Sequence, residues 1–275
     1  MNQSVRRICL TATAACGLLL FPASAQTTAT TDPVGAMTVT VNGGSPGFTA
    51  LSAPLLRSTE YSGEVASVSS TTLSFSGTPF VEDEFSALDP TGAAMYYIEI
   101  LSGAAEGQIL DILDNSSNSV TIVTGGSSLV GVLSAGDSIR IAQHSTIGDL
   151  FGTTNKFGFR SGVNIVNSDS IYLMSLSGDG VYSQYYYQTD PFGGALGGNG
   201  WRSPGDPFTD MSGVRIDNDQ GIIISHEEQA SLNITFTGRV KTTSQNSPLP
   251  TGFSLKASGF PIGTTLGSSG LYRED

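Results

Sequence analysis

The chain has few groups that could do chemistry: two histidines, His144 and His226, and two cysteines, Cys9 and Cys16, in 275 residues. Neither histidine lies in an H-x-x-x-H or H-E-x-x-H spacing, so no zinc-protease pattern exists. His226 heads a His-Glu-Glu run where a hairpin tip is expected, and its charges read as solvated. His144 precedes a short helix, where a hydrogen bond to a nearby loop is its expected role. A serine nucleophile with a histidine base needs spatial proximity, which spacing does not give. Paired carboxylates could serve glycoside hydrolysis. The candidates are Glu82, Asp83, Glu84, Glu99 and Glu106, of which Glu99 alternates out of an apolar strand as an exposed residue does. Asp217-Asn218-Asp219-Gln220-Gly221 offers oxygen ligands for calcium but misses the EF-hand spacing, and Asx-rich turns of this kind are common without metal. The reading is a non-enzymatic protein with no cofactor, no catalytic residue and no assigned metal site.

The other chemical feature is aromatic. Ser177 to Arg202 holds Tyr182, Tyr185, Tyr186, Tyr187 and the single tryptophan, Trp201. An exposed Tyr185-Tyr187-Trp201 strip would stack on a sugar or polymer. A hairpin turning at Asp179-Gly180 places Tyr172, Met174, Leu176, Tyr185 and Tyr187 on one face, with Ile171, Leu173, Tyr182 and Tyr186 on the other. Two apolar faces point to a hairpin buried against a sheet, with Pro191 to Trp201 as its cover and Trp201 folded over one side.

These residues sit in a chain of β character. Helical periodicity is nearly absent, and short β-rich runs recur between Gly, Ser and Thr turns. The expected fold is all-β: a small Greek-key or SH3-like barrel, then a second antiparallel β-sandwich-like unit, with one short connecting helix. Residues 1–25 read as a signal peptide, with Arg6 and Arg7, an apolar run from Ile8 to Phe21 and an Ala23-Ser24-Ala25 cleavage site. Residues 26–60 form a leader and first strands, 61–143 the barrel and 144–243 the second unit. Residues 244–275 form a linker and an incomplete β segment. In the barrel, strands are expected at Gly63–Val68, Leu73–Phe75, Met95–Leu101, Gln108–Leu113, Ser119–Val123 and Ser138–Ala142. In the second unit they are expected at Val163–Val166, Ser170–Leu176 and Val181–Tyr187, with Gly221–Ser225 and Ser231–Val240 forming a hairpin. Ser145 to Gly152 is the helix, capped by Ser145 or Thr146 and ended by Gly152.

Charge and cysteine usage narrow the setting. Cleavage after Ala25 would remove both cysteines, leaving no disulfide framework. The formal charge is −12, and loss of Arg6 and Arg7 takes it to −14. Ser58 to Ile139 holds eleven acidic residues and no Lys or Arg, a surface that repels phosphate backbones and anionic lipid. Nucleic acid is therefore not an expected partner, whereas polysaccharide or other envelope proteins are. No segment of the mature chain has the length of a transmembrane helix. The expected location is periplasmic, outer-surface or extracellular.

The run YYIEILSGAAEGQILDILDNSSNSVTI, then AGDSIRIAQHSTIGDLFG, then the aromatic hairpin with GNGW, resembles an uncharacterised family of exported β-rich bacterial proteins of verrucomicrobial type. The resemblance covers the chain from about Asp32 onward. It implies export and a repeated β architecture. That family has no established activity, so no catalytic residue is carried over.

Overall fold

The computed structural model describes residues 32–44 and 47–260. The segment read as a signal peptide, residues 1–25 with Cys9 and Cys16, the expected leader to residue 31, and residues 261–275 lie outside the described residues. The described residues belong to one compact unit. Its strands are β1 (Val34–Val41), β2 (Gly47–Ser52), β3 (Thr59–Glu64), β4 (Ser67–Val68), β5 (Thr72–Ser74), β6 (Tyr96–Ile100), β7 (Ile109–Asn115), β8 (Ser119–Ile122) and β9 (Ser138–Gln143). They continue with β10 (Ser145–Thr146), β11 (Ser170–Met174), β12 (Tyr182–Gln188), β13 (Gly200–Arg202), β14 (Arg215–Ile216), β15 (Gly221–His226) and β16 (Leu232–Arg239). The helix α1 spans Ile147–Phe151. The fold is all-β and antiparallel.

The first core is enclosed by a sheet in the order β3-β9-β6-β7-β8-β5-β4. Strands β3 and β4 are successive pieces of one extended segment, bent at Val65-Ala66. Val65 N–H reaches Asp137 O (2.9 Å) on one side while Ala66 N–H reaches Ser74 O (2.8 Å) on the other. The two ends of the strand order therefore meet, and the sheet closes on itself, which removes its edges. Leu73, Ile98, Ile100, Ile112, Val120, Ile139 and Ile141 fill the interior.

The second core lies under a five-stranded sheet, β13-β12-β11-β15-β2, and is completed by the ribbon β1-β16 and by α1. Here the chain departs from expectation. The segments β1 and β2, read as first strands ahead of the barrel, belong to this second core: β1 pairs along its whole length with β16, and β2 pairs with β15. The expected hairpin between β15 and β16 does not form. After β15 the chain turns at His226, whose Nε2 bonds Ala230 O (2.8 Å), and crosses to the other layer. Val163–Val166 is not a strand; Ile165–Asn167 is a 3₁₀ turn capped by Asn164.

Helix α1 starts as its sequence directs. Thr146 accepts from Asp149 N–H (3.1 Å), and the Asp149 carboxylate takes back the Thr146 N–H (3.0 Å), a reciprocal cap. Gly152 ends it with φ +82° and ψ 150°, outside the left-handed helical region but reachable by glycine.

The segment 244–257 lies against the assembled β units. Asn246 N–H bonds Gly107 O (2.8 Å), Phe253 N–H bonds Gly178 O (2.9 Å), and Gly221 N–H bonds Leu255 O (2.8 Å). Gly178 has φ +85°, and a Cβ there would lie 2.2 Å from Thr251 O. Gly178→Ala is therefore expected to destabilise by more than about 1 kcal/mol. It should also speed proteolysis within 245–256, read by limited digestion; an unchanged cleavage rate would contradict the packing described.

Candidate functional site

The aromatic hairpin has a different register from the one its turn residues predict. Ser175 N–H bonds Val181 O (2.8 Å), so the loop contains Leu176 to Gly180. That loop is held by Asp179 accepting from Val181 N–H (2.9 Å) and by Gly178 and Gly180 at φ +85° and +73°. Odd loop length inverts the parity. Tyr185 stands opposite Ile171, Gln184 opposite Tyr172, and Tyr182 opposite Met174. A shift of one residue exchanges the faces of a strand, so Ile171, Leu173, Tyr185 and Tyr187 face the core, while Tyr172, Met174, Tyr182 and Tyr186 face outward.

This corrects the expected binding strip. Tyr185, Tyr187 and Trp201 are all in the core, and Trp201 is 1% exposed. Trp201 does not fold over the hairpin as a cover. It sits in β13 directly opposite Tyr187, with its ring edge-on to Tyr187 at 5.5 Å and to Phe159 at 5.7 Å. Its indole N–H donates to Gly152 O (2.7 Å) and so satisfies a carbonyl at the end of α1. The glycine-rich loop 190–199 does act as a cover, but on the outward side. Arg202 donates to Gly197 O (2.8 Å) and Gly198 O (3.1 Å), and Gln188 donates to Leu196 O (2.6 Å). This buries Tyr186 at that end of the outward face.

The rest of the outward face stays open. Cross-strand pairing aligns Ala50, Ile223, Tyr172 and Gln184 in one row, with Met174 and Tyr182 beside it and Phe48 at the far strand. Phe48 and Tyr182 are 59% and 56% exposed. Phe48, Ala50, Ile223, Tyr172, Met174 and Tyr182 line a groove of about 530 Å³ that runs across β12, β11, β15 and β2. Three strand spacings make this roughly 14 Å. The Tyr172 and Tyr182 rings meet edge to face at 5.3 Å. Gln184 Nε2 donates to Tyr172 Oη (2.9 Å) and Ser170 Oγ (3.1 Å), fixing the Tyr172 ring. The groove lining carries no charged residue. Sequence reading missed Phe48 and Ala50 because their strand joins this sheet from the far end of the chain. The alternation in GFTALS was the available signal.

Glu82, Asp83 and Glu84 lie on an exposed turn, and Glu106 is exposed and bonded to Ser244 Oγ (3.0 Å). Glu99 is fully buried rather than exposed. It is bonded to Lys241 and Thr243, with Arg140 at 3.2 Å and Arg239 at 3.5 Å. Burial pushes its carboxyl upward, but the Lys241 ammonium, the Thr243 hydroxyl and the Arg239 guanidinium outweigh this and hold it below the usual carboxylate range. Glu99 is thus enclosed by protein cations, while the other four acids lie on the surface.

His226 is buried, not solvated. Its Nδ1 lies 2.6 Å from the Asp169 carboxylate and its Nε2 faces a carbonyl, so both ring nitrogens are committed to structure. His144 bonds Asp111 through Nε2 (2.9 Å). In the Asp217–Gly221 turn, the Asp217 carboxylate lies 3.1 Å from Arg215, and Asp219 lies 2.7 Å from Lys256. Its two acids thus face protein cations rather than a shared calcium position. Among the described residues no group of three or more His, Cys, Asp or Glu could hold a metal ion. No helix among them is long and apolar enough to cross a membrane. No protein-family model, curated protein or solved structure matches this chain.

Proposed function

We propose that this is an exported, non-enzymatic β protein of the cell envelope or surface with an adhesive role, and that it holds neutral polysaccharide through the open face of the five-stranded sheet. The exported family that the sequence resembles is consistent with that setting. The observation that carries the reading is the uncharged groove presenting Phe48, Tyr172 and Tyr182 on a rigid sheet whose other face is packed core. Tyrosine offers an apolar ring body and a polar tip, so it can cover the C–H face of a sugar and bond its hydroxyls. Neutral polymer is the matching class because the chain, at −12, repels anionic ones.

The test is a depletion assay on insoluble neutral polysaccharides. Tyr182→Ala is expected to weaken retention at least about fivefold, the scale of losing one anchoring ring, with thermal stability unchanged because the side chain is exposed. If no polysaccharide on a broad panel retains the wild type, the glycan reading is overturned. If the protein then still binds cells through Tyr182, the adhesive partner is a protein.

A further inference from the structure

The rings of the open sheet face are gathered at two places. Phe48 stands alone on β2, whereas Tyr172 and Tyr182 stand together on β11 and β12, with ring centroids 5.3 Å apart. Ala50 and Ile223 lie between them and form a low aliphatic floor. The register gives the separation. Phe48 pairs with Ser225, and Ser225 with Ser170, so Phe48 is level with Ser170 across β15. Tyr172 lies two residues further along β11. Two strand spacings across and two residues along come to about 12 Å at the backbone.

The two sides of the groove also differ. On one side Gln184 Nε2 donates to Ser170 Oγ (3.1 Å) and Tyr172 Oη (2.9 Å). Having accepted there, Tyr172 Oη keeps its own proton for an outside acceptor. On the other side Met174 is apolar. A sugar ring whose hydroxyls lie largely in its own plane matches such a surface. Its C–H face rests on an aromatic ring and its rim meets the Tyr172 hydroxyl. Where the linkages also lie in the ring plane, as in cellulose and mannan, the chain is an extended ribbon and every second ring presents the same face. In α-linked amylose the linkage leaves the ring plane and the chain coils, so rings two apart turn away from a common surface. A uronic-acid polymer would find no cation in the lining to pair with its carboxylates.

We propose, resting on the polysaccharide reading above, that the groove takes an extended β-linked chain of the cellulose or mannan type, laid across the strands. A disaccharide unit of that ribbon bridges the gap between the anchors. Alternate rings then sit on Phe48 and on the Tyr172–Tyr182 pair, and the ring between them passes over Ala50 and Ile223.

The test is calorimetric titration of the full chain with cellobiose, cellotetraose, mannobiose, mannotetraose and maltotetraose. At least one β-linked tetramer should bind saturably. It should bind at least about tenfold more tightly than its own disaccharide, because the second anchor is reached without a second loss of freedom. Maltotetraose should bind at least about tenfold more weakly than that tetramer. Phe48→Ala should weaken the tetramer at least about fivefold, whereas Phe48→Tyr, which keeps a ring there, should not. Phe48 is 59% exposed, so neither change disturbs the core. Maltotetraose binding as tightly as the β-linked tetramers, disaccharides binding as tightly as tetramers, or Phe48→Ala binding as wild type overturns the ribbon. So does the absence of tetramer binding. In each of these cases retention on an insoluble polysaccharide still supports the glycan reading, and loss of that retention as well overturns both.

Discussion

Glu99→Ala is expected to lower the free energy of unfolding by about 3–5 kcal/mol, the scale of breaking a buried ion pair from one side. Glu99 is the fourth residue of β6, where it pairs with Arg140 of β9. Arg239 at the end of β16 and Lys241 just beyond it approach from the second core. The single carboxylate is thus the counter-charge for three cations that are 9% exposed or less. Asp32 assists from outside, 3.0 Å from Arg140 and bonded to Thr59 at 2.6 Å, but it is partly exposed. Removing Glu99 leaves two guanidinium groups and an ammonium group buried together, and both cores lose a shared anchor.

The pH dependence follows in sign. The folded carboxyl is held below its unfolded value, so its contribution is fully present above roughly pH 4.3, the ordinary glutamate value. It is lost as the pH falls through the lower, folded value. Chemical denaturation across this range should show wild-type stability declining on the acid side and a flatter profile for Glu99→Ala. A variant within 1 kcal/mol of wild type at neutral pH would contradict this account.

Trp201→Ala is expected to destabilise by a similar amount, about 3–5 kcal/mol. Two losses combine. The cavity falls where Tyr187, Phe159 and Phe151 meet the ring, the last at 6.1 Å. The Gly152 carbonyl also loses its indole donor, leaving a helix end unsatisfied. Trp201→Phe keeps much of the volume but not the donor, so its smaller deficit, about 1–3 kcal/mol, isolates the second loss. Because Trp201 is the only tryptophan, wild-type emission reports on this core directly and should resist an aqueous quencher until unfolding. Unfolding midpoints measured by emission and by far-UV dichroism should coincide. A Trp201→Ala variant as stable as wild type would remove the residue from the core.

Although the expected Gly63–Val68 strand is broken at Val65-Ala66 between β3 and β4, most strands of the closed sheet were legible because each is short, alternates and ends at a turn residue. Ser138–Gln143 and Ile109–Asn115 show this, each within two residues of the expected span. The Thr146–Asp149 cap was legible for the same reason: it is a contact over three residues. Pairings across the whole chain were not. The hydroxyls of Thr38 and Thr235 bond at 2.8 Å over 197 residues, and no local pattern in β1 names β16 as its partner. The aromatic face was half legible. Two apolar faces were readable from composition, but which side each tyrosine took depended on one residue of loop length. Asp-Gly is a strong two-residue turn signal, yet Asp179 instead caps the end of a longer loop tied to Phe253. Glu99 misled because alternation predicts exposure only where one face of a strand is wet. Here the second core covers that face and brings its own cations.

The central claim is that the working surface is the outward face of the five-stranded sheet, with the Trp201 cluster serving as core. Aromatic side-chain NMR, with a soluble oligomer of the retained polysaccharide added stepwise, tests it most directly. Shifts are expected to concentrate at Phe48, Tyr172 and Tyr182, with Trp201, Tyr185 and Tyr187 unmoved. Shifts concentrated at Tyr187 and Trp201, with the groove residues silent, would contradict it.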